Sequence, residues 1–201
     1  MSFAADLAAA PGAAFVRVEY ELSGVRPGDS VPVSVLDFGR AVAEDFRVGA
    51  RGVPMELSGR HGAARSGSWP VAAGAEGRAV LAVTYQVPGA GEDEDGRIVS
   101  HLPVLIVDRA PEEARPGFFR GSVQVPADWR VTEGFPTGLA SGGEAGRYDV
   151  ELSVLPAVVT LRARSDGRRT VALPLALDLV ALSVLLITAV AGWRHMREPV
   201  L

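Results

Sequence analysis

The chain has 201 residues, 24 Asp and Glu against 20 basic residues that are all Arg, a net charge of −4 and a pI near 5.4. That length holds one ordinary domain and a short additional segment, and scattered arginines in a mildly acidic chain exclude a diffuse basic face for nucleic acid. The absence of cysteine excludes disulfide scaffolds, thiolate zinc sites and cysteine nucleophiles.

The opening stretch MSFAADLAAAPGAAFV has neither a basic n-region nor a full apolar h-region, so as written it is not a signal peptide. Its run Ala8-Ala9-Ala10-Pro11 resembles the small-residue cleavage end of one. Residues 1–14 are therefore expected to be disordered or the residue of a signal segment.

Strand signals begin at Phe15. Val16, Val18 and Tyr20 alternate with Arg17, Glu19 and Glu21, the period of a half-buried strand. A turn follows at Gly24–Asp29, and Val31, Val33 and Val35 alternate again. Arg78–Val87 is a further strand, ended by Pro88. Arg97–Val107 is another, with Pro103 marking an edge or a bulge. Phe118–Val125, Trp129–Val131, Arg147–Leu155 and Ala157–Arg164 complete the set. No stretch before Val171 sustains a 3.6-residue period, and 23 Gly and 14 Pro punctuate the chain. Many short strands separated by turn signals indicate a sandwich or a barrel. The expectation for residues 15–170 is an all-β, antiparallel two-sheet sandwich of about eight to ten strands, Ig-like in general architecture.

Residues 171–193 read VALPLALDLVALSVLLITAVAGW, with Asp178 the only charge. As a helix this run spans about 34 Å, enough for a hydrocarbon core of about 30 Å. Arg168 and Arg169 flank one end, and Trp193, Arg194 and Arg197 the other, as interfacial anchors do. Pro174 falls in the first turn, where its missing N–H is harmless. A carboxylate in hydrocarbon costs roughly 2.5–3.5 kcal/mol on insertion scales, so Asp178 is either a helix-partner contact or sits near hydrating headgroups. Leu175, Leu179, Leu182 and Leu186 form one packing stripe beside it. Residues 194–201 are then a short cytoplasmic tail.

Arginine counting leaves orientation open. Arg162, Arg164, Arg168 and Arg169 precede the apolar run, and Arg194 and Arg197 follow it. Taken literally this favours a cytoplasmic domain, but Arg162 and Arg164 belong to the last expected strand. The expectation is a periplasmic or extracellular domain, with a cytoplasmic, tail-anchored domain as the alternative. Only Ser165-Asp166-Gly167 separates the last strand from the flanking arginines, so the domain is expected close to the bilayer.

Signals for chemistry are weak. Glu92, Asp93, Glu94 and Asp95 offer hard oxygen donors, but their spacing fits no EF-hand, and a solvated hairpin tip is the simpler reading. Ser100 and His101 are adjacent in a strand and so point to opposite faces. His61 and His195 lie elsewhere, and no Gly-x-Ser-x-Gly elbow, HExxH, P-loop or dinucleotide fingerprint is present. The Gly138–Gly143 stretch reads as a flexible loop. No catalytic residue, metal or cofactor is expected. Trp69, Phe118, Phe119, Trp129, Phe135 and Tyr148 are expected in the core, with Trp129 a candidate exposed anchor. Because Phe118 and Phe119 are neighbours in a strand, one ring faces outward, which makes the pair a candidate surface contact.

The layout resembles membrane-anchored, Ig-like bacterial proteins in general plan. The expected role is a single-pass, non-enzymatic extracytoplasmic binding or interaction module, with the lipid bilayer and a protein as partners. The alternative is an accessory subunit of a larger membrane complex, assembled through the apolar helix and Asp178.

Overall fold

The computed structural model describes residues 1–10, 12–71, 77–90, 96–108 and 116–165. Fifteen strands occur among them. The first seven are β1 (Ser2–Ala10), β2 (Ala13–Val25), β3 (Ser30–Leu36), β4 (Glu44–Val48), β5 (Val53–Pro54), β6 (Gly59–His61) and β7 (Ala64–Pro70). The rest are β8 (Gly77–Pro88), β9 (Arg97–Pro103), β10 (Ile106–Val107), β11 (Phe119–Gln124), β12 (Trp129–Phe135), β13 (Ala140–Ser141), β14 (Arg147–Leu152) and β15 (Val158–Ser165). The fold is all-β and sandwich-like, as the alternating segments predict.

Hydrogen bonding divides these strands into three sheets, not two. An eight-stranded sheet has the order β13-β14-β11-β1-β2-β8-β4-β5, a four-stranded one β10-β3-β7-β6, and a three-stranded one β12-β15-β9. Pro103 explains part of the division. It has no N–H to continue a ladder, so the strand expected over Arg97–Val107 breaks there. Its first part pairs with β15 and its last two residues pair with β3. The strand pairs are antiparallel except β1 with β11, which is parallel.

The largest difference from the sequence reading is at the N-terminus. Ser2–Ala10, within the segment expected to be disordered or the residue of a signal, is a strand between β2 and β11. Phe3, Ala5 and Leu7 point into the core, while Ser2 and Ala4 are exposed. This period-two pattern is masked in the sequence by alanine, which has weak strand preference and little hydrophobic contrast. The Asp6 carboxylate accepts from the Ala8 and Ala9 N–H groups at 2.8 and 3.0 Å where the ladder is interrupted. Gly12, at φ 77°, turns the chain into β2.

One cluster of buried side chains links the sheets. Phe3, Val16, Val18, Leu81, Val83 and Phe119 come from the eight-stranded sheet, Val31, Val33 and Val35 from β3, and Ile98, Leu102, Val159 and Leu161 from β9 and β15. Each such side chain contributes about 1.5–3 kcal/mol by leaving water. Two tyrosines reach across this core. Tyr20 Oη donates to the Leu105 carbonyl and Tyr85 Oη to the Pro103 carbonyl, each at 2.5 Å. They tie the eight-stranded sheet to the segment that joins the other two. Burial pushes both phenol pKa values well above the ordinary range, opposed by backbone hydrogen bonds with Val107 and Leu105 respectively.

Met1–Ser165 forms one compact unit. The apolar run 171–193 lies outside the described residues, and with it Asp178, Leu175, Leu179, Leu182, Leu186 and Trp193, as do Arg168, Arg169, Arg194 and Arg197. Among the described residues, no helix is long and apolar enough to cross a membrane.

Candidate functional site

The outward face of the eight-stranded sheet carries a polar trough. Its residues are the outward half of each alternating strand, so the pattern that builds the core also builds this surface. The register aligns one row across the whole sheet: Ala140, Asp149, Ser122, Ala4, Arg17, Thr84, Arg47 and Pro54. The next row runs Arg147, Gln124, Asp6, Phe15, Gln86 and Glu44. Ala4 and Ser122 are short, and the longer side chains on either side rise above them. The resulting hollow has a volume of about 540 Å³. A second hollow of about 650 Å³ shares Ala4, Ser122 and Arg147 with it and extends toward Arg120 and Glu151.

Charge on this face is largely neutralised from within. Arg17 pairs with Glu19 at 3.2 Å, Arg47 with Asp45 at 3.0 Å, Arg147 with Asp149 at 3.1 Å and Arg120 with Glu151 at 3.5 Å. Hydrogen bonding to Asp45 and to Asp149 pushes the Arg47 and Arg147 pKa values further up. Such exposed pairs add little stability; what they do here is hold planar guanidinium groups in place. Asp45 sits at φ 52°, a left-handed conformation that Asp tolerates better than most residues, where the β4 ladder shifts register. This bulge aims its carboxylate at Arg47. Phe15, 40 % exposed, adds an apolar spot between Asp6 and Gln86. Beneath the trough, Phe46 packs on Tyr85 and Phe3 on Phe119, with ring centroids 5.1 and 5.9 Å apart, so the floor is firm.

The residues singled out from sequence do not gather here. Phe119 is the inward ring of its pair and fully buried, and Phe118 is half-buried. Trp129 opens β12 in the three-stranded sheet and, half-buried, packs against the core with Trp69 and Tyr148. Phe135, expected in the core, is 55 % exposed. Ser100 is buried and His101 exposed, as alternation requires, so they form no dyad. His61 is exposed on β6. Within the glycine-rich loop, Ala140–Ser141 is a short edge strand beside β14, which corrects the expectation of a flexible loop there. Among the described residues no group of His, Asp or Glu is arranged to hold a metal ion; Glu92, Asp93, Glu94 and Asp95 lie outside them.

Of the trough, sequence reasoning found Arg17 and Glu19 as outward residues of β2. It missed the rest because the trough depends on β1 lying between β2 and β11. No family model matches the chain, and no curated protein matches it in sequence.

Proposed function

We propose that the chain is a single-pass, membrane-anchored, non-enzymatic binding module, displayed outside the cytoplasm, whose ligand surface is the trough on the eight-stranded sheet. The observation that carries this reading is a hollow of about 540 Å³, within the size range of binding sites, over a floor of short residues on a rigid sheet. Because its arginines already have carboxylate partners, the trough suits a ligand that brings amides and hydroxyls more than net charge. An extended segment of a partner protein fits that chemistry: Gln86 can donate and accept hydrogen bonds, Gln124, whose amide nitrogen already donates to the Val125 and Ala145 carbonyls, can accept through Oε1, and Phe15 offers contact to one apolar side chain. The apolar run 171–193 supplies the anchor, and on this reading the two smaller sheets act as one layer opposite the eight-stranded sheet, an Ig-like sandwich in general architecture; the sandwich-like, all-β strand set supports it.

Photo-crosslinking of the full chain in its native membrane tests the reading. A benzoylphenylalanine at Ser122, on the trough floor, gives one discrete protein adduct, and the same probe at Ser68, exposed on β7, gives none. Equal labelling from both positions, or none from Ser122, contradicts it. Orientation is read separately. The chain has no cysteine, so a Ser141→Cys variant carries a single label site, which a membrane-impermeant maleimide reaches in intact cells only if the domain is outside.

A further inference from the structure

The outward face of the three-stranded sheet differs in charge from the trough. Register places Arg97, Arg164 and Arg130 directly opposite one another across β9, β15 and β12, and all three are exposed. Strands lie about 4.8 Å apart, so three cations share roughly 10 Å of surface. Like charges directly opposite each other destabilise a sheet. None of the three has an ion-pair partner among the described residues. Glu133, the acidic residue of this face, is taken by Arg162 at 2.9 Å. Val99 and Phe135, each 55 % exposed, lie on the same face. A row of like charge that costs the fold stability, with no counterion among the described residues, points to an anion outside them.

Chain connectivity narrows which anion. Arg164 is the penultimate residue of β15, and residues 166–170 alone separate that strand from the apolar run beginning at Val171. Five extended residues reach at most about 18 Å. If the run is in the bilayer, the end of β15 is held within that distance of the headgroup layer.

We propose that the face bearing Arg97, Arg130 and Arg164 docks on anionic phospholipid headgroups of the bilayer that anchors the chain. This rests on the anchor reading above. It fixes the domain against the membrane instead of leaving it to swing on its connection, and it leaves the trough on a different sheet for the ligand. Each arginine near an anionic surface favours the docked state by roughly fivefold.

The test uses the full chain with Val99→Cys labelled by bimane. It is reconstituted in neutral phosphatidylcholine vesicles and in vesicles with added phosphatidylglycerol, each containing a headgroup nitroxide quencher. Flotation is measured in parallel. The expected result is flotation with both vesicles and at least about twofold greater quenching with phosphatidylglycerol, following the per-arginine effect. High salt abolishes the difference. The Arg97→Gln/Arg130→Gln/Arg164→Gln variant loses it, and the corresponding triple Lys variant keeps it. Single Arg130→Gln, which changes one exposed side chain, loses part of it should the triple variant fold poorly. Flotation with both vesicles but equal quenching overturns the docking proposal and leaves the anchor standing. So does a lipid effect that survives the triple Gln change, as when the chain's own Glu92–Asp95 loop or an acidic protein occupies the row. Flotation only with anionic vesicles, dependent on the arginines, supports docking and rejects the anchor; flotation with neither rejects both.

Discussion

Arg65 holds Asp37 through two nitrogens, Nη2 to Oδ1 at 2.8 Å and Nε to Oδ2 at 3.0 Å. The same guanidinium donates to the Ala43 carbonyl and lies 5.6 Å from the centre of the Phe46 ring. With side-chain exposures of 19 and 10 %, the pair is largely shielded from water. It joins β7 to the connection between β3 and β4, and so positions the strand that forms one wall of the trough. Arg65→Met leaves Asp37 shielded without a partner and is predicted to cost about 2–3 kcal/mol, somewhat less than a fully buried pair. Arg65→Lys keeps the charge but not the fork and falls between the two. Urea denaturation of the variants checks this, and a loss below about 0.5 kcal/mol, the level of an exposed pair, contradicts it.

The two buried tyrosines give the domain a limit at high pH. Phenols in the unfolded chain ionise near pH 10, whereas burial holds Tyr20 and Tyr85 protonated well above that. Their contribution is therefore intact below about pH 10 and is lost as pH rises beyond it, by up to about 1.4 kcal/mol per pH unit for each tyrosine. The denaturation midpoint is predicted to be flat from pH 7 to 9 and to fall by pH 11. In Tyr20→Phe/Tyr85→Phe the alkaline slope flattens. That variant also loses about 1 kcal/mol per hydroxyl at pH 8, because two buried carbonyls lose their donors.

Ser100 is fully buried, and its Oγ has no hydrogen-bond partner among the described residues. Ser100→Ala removes a desolvated hydroxyl and leaves only a small space, so stability is predicted to stay unchanged or rise by about 1 kcal/mol. A loss of more than about 1 kcal/mol would show that the hydroxyl is satisfied in solution, as by a buried water.

How much of this was legible depended on side-chain contrast. Val16, Val18 and Tyr20 against Arg17, Glu19 and Glu21 fix both the strand and its buried face, and so do Val31, Val33 and Val35. The N-terminal strand carries the same period in Phe3, Ala5 and Leu7, but alanine on both faces blurs it. β7, with the sequence ARSGSWP, has no β-branched residue and is strand because Arg65, β3 and β6 hold it. Of the trough, only the outward residues of β2 were legible. Arg17, Ser122, Arg47 and Arg147 come from four strands, and only the order of those strands in the sheet, which no local pattern encodes, brings them together. The Arg97–Arg164–Arg130 row was hidden for the same reason.

Asp178 separates the binding-module reading from a helix-assembled subunit. If the trough carries the interaction, Asp178→Leu leaves the Ser122 crosslink unchanged and only removes an insertion cost of roughly 2.5–3.5 kcal/mol. If the helix carries it, the same change dissolves the complex. Native electrophoresis in mild detergent, before and after the substitution, reads the difference.

The most direct measurement for the whole account is flotation of the full-length chain in a density gradient with neutral phosphatidylcholine vesicles, at neutral pH and in high salt. The chain is predicted to rise with the lipid and to come free only when detergent is added. A monodisperse monomer left at the bottom of the gradient, with no detergent present, would contradict it.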